Sequence, residues 1–120
     1  MKTVYIAGPF RGPDGYAVHM NVTRILQVAH DLIEAALKQG TPISVCIPHT
    51  MTEHLDRTFT DDYWLEATME QLDRQDSILM TEGWEKSVGS QGEKARAEAT
   101  GKAIHYSIED VLRWLIRIGG

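Results

Sequence analysis

Four short runs of apolar residues, each followed by a stretch patterned for a helix, constrain this chain more than any other feature. Thr3-Val4-Tyr5-Ile6-Ala7, Ile43 to Ile47, Ser77-Ile78-Leu79-Met80 and Ala103-Ile104-His105-Tyr106 show little of the polar alternation of a half-exposed strand. They read as strands covered on both faces. After Asn21, which has the chemistry of an N-cap, Val22, Ile25, Leu26, Ala29, Ile33, Ala36 and Leu37 recur at helical spacing until Gly40. Trp64, Leu65, Met69 and Leu72 mark the inner side of a helix over 61–75, and a further helix runs to Thr100 and stops at Gly101. Ser107-Ile108-Glu109-Asp110 opens the last helix, with Val111, Leu112, Leu115 and Ile118 turned inward. The order β-α repeated four times predicts a flavodoxin-like or Rossmann-like three-layer α/β/α fold. Its sheet is parallel, with at least four strands, in one domain spanning residues 1–120.

In such sheets ligands gather at the carboxyl ends of the strands. The three longest expected loops, 10–20, 48–60 and 81–89, all follow strands, which places Gly8, Arg11, His49, Ser87 and Glu93 around one mouth. A formal charge of −5 disfavours a nucleic-acid polymer or an anionic membrane as partner, since both call for a basic face. A small phosphorylated ligand needs only a local group of donors. No apolar stretch approaches a membrane span and the N-terminus lacks a signal-peptide profile, so a cytoplasmic protein is expected. The single cysteine, Cys46, sits inside an apolar run and reads as a small buried hydrophobe.

Glu93 carries the question of function. Ser90-Gln91-Gly92-Glu93 fits the S-x-x-E capping box, in which each side chain satisfies a backbone N–H at a helix start. An acid there is also favoured in its ionised form by the helix dipole, and an ionised carboxylate in a cleft suits chemistry at an anomeric carbon. Ser87-Val88-Gly89-Ser90 offers N–H groups and hydroxyls to an anion, with glycine permitting close approach. There is neither a G-x-x-x-x-G-K-S/T loop nor a G-x-G-x-x-G after the first strand. His49 and His54, five apart with no cysteine nearby, are poor metal ligands, so no metal is expected. His49 reads as a polar wall residue that can touch a ligand. Asp61, Asp62 and Asp73 read as solvated helix charges, Asp76 as a cap at the strand entry or a site residue, and Trp64 and Trp114 as core anchors. Trp84 falls in the mouth loop, placed to stack on a base or to cover a subunit contact.

Tyr5-Ile6-Ala7-Gly8-Pro9-Phe10-Arg11-Gly12, taken with Ser87-Val88-Gly89-Ser90-Gln91-Gly92-Glu93, resembles the nucleoside 2-deoxyribosyltransferase superfamily. The nearest likenesses are the 2′-deoxynucleoside 5′-monophosphate N-glycosidases and the DUF4406-type group, whose W-E-x-S-x-G-x-x-x-E pattern is matched from Trp84 to Glu93. The resemblance runs from the first strand to Ile104 and implies a hydrolase or transferase acting on a nucleotide or nucleoside without a cofactor. It implies Glu93 as the nucleophile at C1′, Tyr5 beside that carboxylate, and Gly8 and Arg11 in the loop around the 5′ end. It further implies a homo-oligomer, a dimer or larger, whose subunits close one another's pockets. Ser87 stands where the nucleoside-using transferases have an aspartate that receives the 5′-hydroxyl. A hydroxyl beside an arginine accepts a phosphate that a carboxylate would repel, so a monophosphate hydrolase is favoured over a base-exchanging transferase. Thr68 departs from the pattern, standing where an aspartate is usual, and this keeps a non-catalytic nucleotide-binding module in view.

Overall fold

In the computed structural model, which describes residues 1–55 and 58–119, four strands form one sheet in the order β2-β1-β3-β4. They are β1 (Lys2–Ala7), β2 (Ile43–Cys46), β3 (Ser77–Met80) and β4 (Ala103–His105). Every pairing is parallel, with Tyr5 opposite Cys46 on one side and Ile78 on the other. The expected fold class is therefore observed. The helices are α1 (Gly15–Gln39), α2 (Pro48–Leu55), α3 (Asp61–Asp73), α4 (Val88–Ala99) and α5 (Ile108–Arg117). Among the described residues no helix is long and apolar enough to cross a membrane.

The alternation of side chains along β1 divides the interior in two. Val4 and Ile6 pack with Ile25, Ala29, Leu32 and Ala36 of α1 and with Val111 and Leu115 of α5. Tyr5 and Ala7 point to the opposite face, where Leu72 of α3 and Ala97 of α4 meet Ile78 and Met80. Leu26, Leu37, Leu65 and Ile118, expected to face inward, are exposed: they border the apolar stripes without reaching the sheet. The chain leaves β1 for β2 on one side and returns to β3 on the other, so the crevice of the sheet opens between the carboxyl ends of β1 and β3.

Two helix starts differ from the sequence reading. Helix α1 begins at Gly15, where Asp14 is the N-cap and its carboxylate accepts the Ala17 N–H at 2.8 Å. Its first two turns run past the sheet and bury little, so no apolar period announces them. Asn21 lies inside the helix instead of capping it, and its amide donates to the carbonyls of Phe10 and Arg11, tying down the loop after β1. The expected loop 48–60 contains α2, whose Pro48 occupies the first helical position, where a proline costs no hydrogen bond. Residues 56 and 57 of that loop lie outside the described residues.

Asp76 has a structural role. Its carboxylate accepts from the N–H of Thr3 at 2.8 Å and from the Thr3 hydroxyl at 3.1 Å, while its own N–H donates to that hydroxyl at 3.0 Å. This clamp holds the start of β1 against the start of β3, at the end of the sheet away from the crevice. Asp76→Ala is expected to lower unfolding free energy by about 1–2 kcal/mol in urea titrations and to leave ligand binding unchanged. A loss of binding with unaltered stability would place Asp76 in the site.

Candidate active site

The polypeptide between β3 and α4 sets the position of Glu93. Gly83 turns with φ 90°, a conformation that favours glycine, and leads into a 3-10 turn at Trp84–Lys86. A Cβ at Gly83 would also press to 3.0 Å from Pro9. Ser87 then adopts an extended backbone and becomes the N-cap of α4, its hydroxyl accepting the Ser90 N–H at 3.2 Å. The capping box expected from Ser90 to Glu93 does not form, because both residues lie inside the helix. Glu93 sits in the second turn, past the N–H groups that need a cap.

The helix stripe Ser90–Glu93–Ala97 faces inward instead, and Glu93 is only 9% exposed. Tyr5, fully buried on β1, donates its phenolic hydrogen to Glu93 Oε2. Burial pushes the Glu93 carboxyl up from its ordinary 4.5 to about 7, against the opposing effect of the Tyr5 hydrogen bond. The ionised form expected from the helix dipole is thus disfavoured, because desolvation outweighs a dipole that acts mainly on the first turn. Burial and the neighbouring Glu93 together raise Tyr5, which keeps its proton, and the half-buried Cys46 thiol is raised by the same two causes.

A cavity of about 630 Å³ opens above this pair at the crevice of the sheet. Gly8, Arg11, His49, Ser87, Gly89 and Glu93 all line it, so the six mouth and site residues named from the sequence meet in one place, with Tyr5 directly beneath. Gly8 is required sterically: a Cβ there would lie 2.1 Å from the Thr81 hydroxyl oxygen. Gly89 differs, since a Cβ there would meet no protein atom within 4 Å, and its absence leaves room over the start of α4. His49 is 4% exposed and donates Nε2–H to the Gly8 carbonyl at 2.9 Å, which fixes its tautomer. Burial pushes its imidazole below the usual value, so it is neutral at physiological pH.

Asp61 and Lys86 escaped the sequence reading as lining residues, whereas Trp64 and Thr68 were named in it for other reasons. Asp61, taken for a solvated charge, pairs with Arg11 at 2.7 Å across the mouth. Lys86 adds a second cation beside Ser87. Trp64 is a core residue and a wall of the cavity at once, and Thr68, one turn further along α3, donates to the Trp64 carbonyl at 2.9 Å and lies within reach of the Tyr5 phenol. The signal available was spacing, because positions 61, 64 and 68 share one helix face. Trp84 does not line the cavity; its ring packs 5.8 Å from that of Tyr106, with the Lys94 ammonium 5.5 Å above it. His54 is exposed beside Glu53, away from His49.

The raised acid has a consequence for stability. Glu93 loses its proton near 4.5 when unfolded and near 7 when folded, so folding takes up a proton between those values. Its contribution is complete below about 4.5 and is lost as pH rises through about 7. At about 1.4 kcal/mol per pH unit, the loss amounts to roughly 3 kcal/mol. Glu93→Gln keeps an acceptor for Tyr5 without the charge. It is expected to be more stable than the unmutated protein by roughly 2–3 kcal/mol at pH 8, and nearly equal to it at pH 4.5, in urea unfolding at the two pH values. The same difference at both would mean that the carboxyl titrates normally.

No curated protein matches the chain in sequence. A family match covers residues 2–106, from the start of β1 through β4, and therefore includes every residue of the site just described. The chain belongs to the family described as Domain of unknown function (DUF4406).

Proposed function

We propose that the protein cleaves the N-glycosidic bond of a 2′-deoxynucleoside 5′-monophosphate. One observation carries the reading: a buried carboxyl held by a tyrosine forms the floor of a cavity whose rim holds Arg11, Lys86 and the N-terminus of α4. The rim suits a phosphate, with a guanidinium, an ammonium, the Ser87 hydroxyl and helix N–H groups. Trp64, Leu65 and Met69 supply an apolar wall for a base. The resemblance to the deoxyribosyltransferase superfamily supports the same assignment of Glu93 and Tyr5.

Tyr5 donates to Oε2, which fixes the plane of the carboxylate and leaves Oε1 to attack C1′. The C1′–O bond forms as the C1′–N bond breaks, and the base departs with the electron pair and takes a proton. Water then opens the glycosyl ester, giving deoxyribose 5-phosphate and the free enzyme. A nucleophile must be ionised, so kcat/KM rises with pH and levels off above about 7. The partner is a small nucleotide, and assembly as a homo-oligomer belongs to the same reading.

Thr68 favours one other reading, a nucleotide-binding module without turnover, because the resemblance implies an aspartate at its position and Thr68 supplies only a hydroxyl. Incubation with a panel of deoxynucleotides and chromatography of free base separates the readings. Release with turnover is expected, with a loss of at least about a thousandfold in Glu93→Gln. Tyr5→Phe removes the hydrogen bond that holds the Glu93 pKa down, so its pH–rate midpoint is expected to move above about 7. Binding of monophosphates without base release establishes the module, and base exchange between nucleosides establishes a transferase.

A further inference from the structure

We infer that Trp84 and Gln91 are positioning residues for the anion site. Outside the cavity they clamp the 3-10 turn to α4, and so fix where Lys86 and Ser87 stand relative to Glu93. The inference rests on the proposed reading of the rim as a phosphate site.

The turn Trp84–Lys86 lies between the end of β3 and the start of α4. Gly83 before it, and Lys86 and Ser87 at its far end, line the cavity, whereas Trp84 and Glu85 do not. Its internal shape comes from backbone bonds of 3.1 Å, from the Lys86 N–H to the Gly83 carbonyl and from the Ser87 N–H to the Trp84 carbonyl. At its far end the turn joins α4 through the Ser87 cap. Two further contacts hold its body to the helix. The Gln91 amide donates to the Glu85 carbonyl. Three residues further along α4, the Lys94 ammonium is held by Glu98 at 2.7 Å and lies 5.5 Å from the centre of the Trp84 ring. That ring packs in turn against Tyr106 and on the buried cluster around Tyr5. Neither Gln91 nor Lys94 lines the cavity. Helix α4 thus carries Glu93 on its buried stripe and holds the turn by Gln91 and Lys94, so one helix sets the span from Lys86 and Ser87 to the carboxyl. A turn released from these two contacts keeps its charge but presents the ammonium and the hydroxyl out of place, and charged hydrogen bonds weaken as their geometry worsens.

Titration calorimetry with inorganic phosphate tests the inference without any need for turnover. Neither Trp84 nor Gln91 is charged, so their replacement leaves the field at the rim as it was. Stoichiometry counts the folded protein, so a mere loss of stability does not move the dissociation constant. Trp84→Leu removes the π face, and Gln91→Ala removes the amide at an exposed position where truncation leaves the core intact. Each is expected to bind phosphate about fivefold more weakly than the unmutated protein. Trp84→Phe keeps an aromatic face for Lys94 and is expected to bind within about twofold of it. In all three, urea unfolding at acid and alkaline pH is expected to show Glu93 still titrating at about 7, because the floor is untouched. Unchanged affinity in Gln91→Ala, or in a folded Trp84→Leu, overturns the inference. So does a shift of the Glu93 titration alongside the affinity, which would make these contacts supports of α4 as a whole. Either result leaves the anion site standing. Absence of phosphate binding in the unmutated protein overturns the inference and the phosphate site together.

Discussion

Strand β1 has no exposed face, and the rest of the molecule is arranged around that constraint. Strands flank it on both edges and helices cover both sides, so Val4 to Ala7 are all fully buried. Alternation sends Val4 and Ile6 into one core and Tyr5 and Ala7 into the other. Tyr5 thereby does two things at once. Its ring fills the core between β1, α3 and α4, and its hydroxyl emerges at Glu93. Removing the whole side chain would cost several kcal/mol of packing, while removing only the oxygen leaves the ring in place. The Glu93 carboxyl is thereby tied by hydrogen bond to a ring packed in the core.

What the sequence made legible follows from the same constraint. A strand covered on both faces has to be written as a nearly continuous apolar run, so the strands and their parallel sense could be read directly. The first two turns of α1 and all of α2 bury little at a helical period, and Pro48 looks like a breaker until its position in the helix is known. At Glu93 the reading was one turn out. Ser87 and Ser90 both have the chemistry of an N-cap, three apart, and local sequence cannot choose between them. The preceding 3-10 turn decides, by delivering Ser87 to α4 with an extended backbone. Asp61 and Lys86 were missed for another reason: spacing puts positions 61, 64 and 68 on one face of α3, but only the packing of α3 beside α4 brings that face and the 3-10 turn to one cavity.

The cavity joins a dry floor to a wet rim, and the two ends make opposite electrostatic demands. At the floor, exclusion of water raises Glu93 to about 7 and brings its proton exchange into the neutral range, at a cost in stability when the group ionises. At the rim, Arg11 and Asp61 stand in solvent, where charges are screened and partners exchange readily. An anion seated beside Glu93 would raise its pKa further and hold it protonated, removing the ionised form that the proposed attack at C1′ requires. In the proposed reaction the anion would sit at the rim, against two cations and a helix N-terminus, in high-dielectric surroundings, with the reacting carbon on the floor. On that proposal, the separation would let a buried acid and an anionic substrate occupy one site without each suppressing the other.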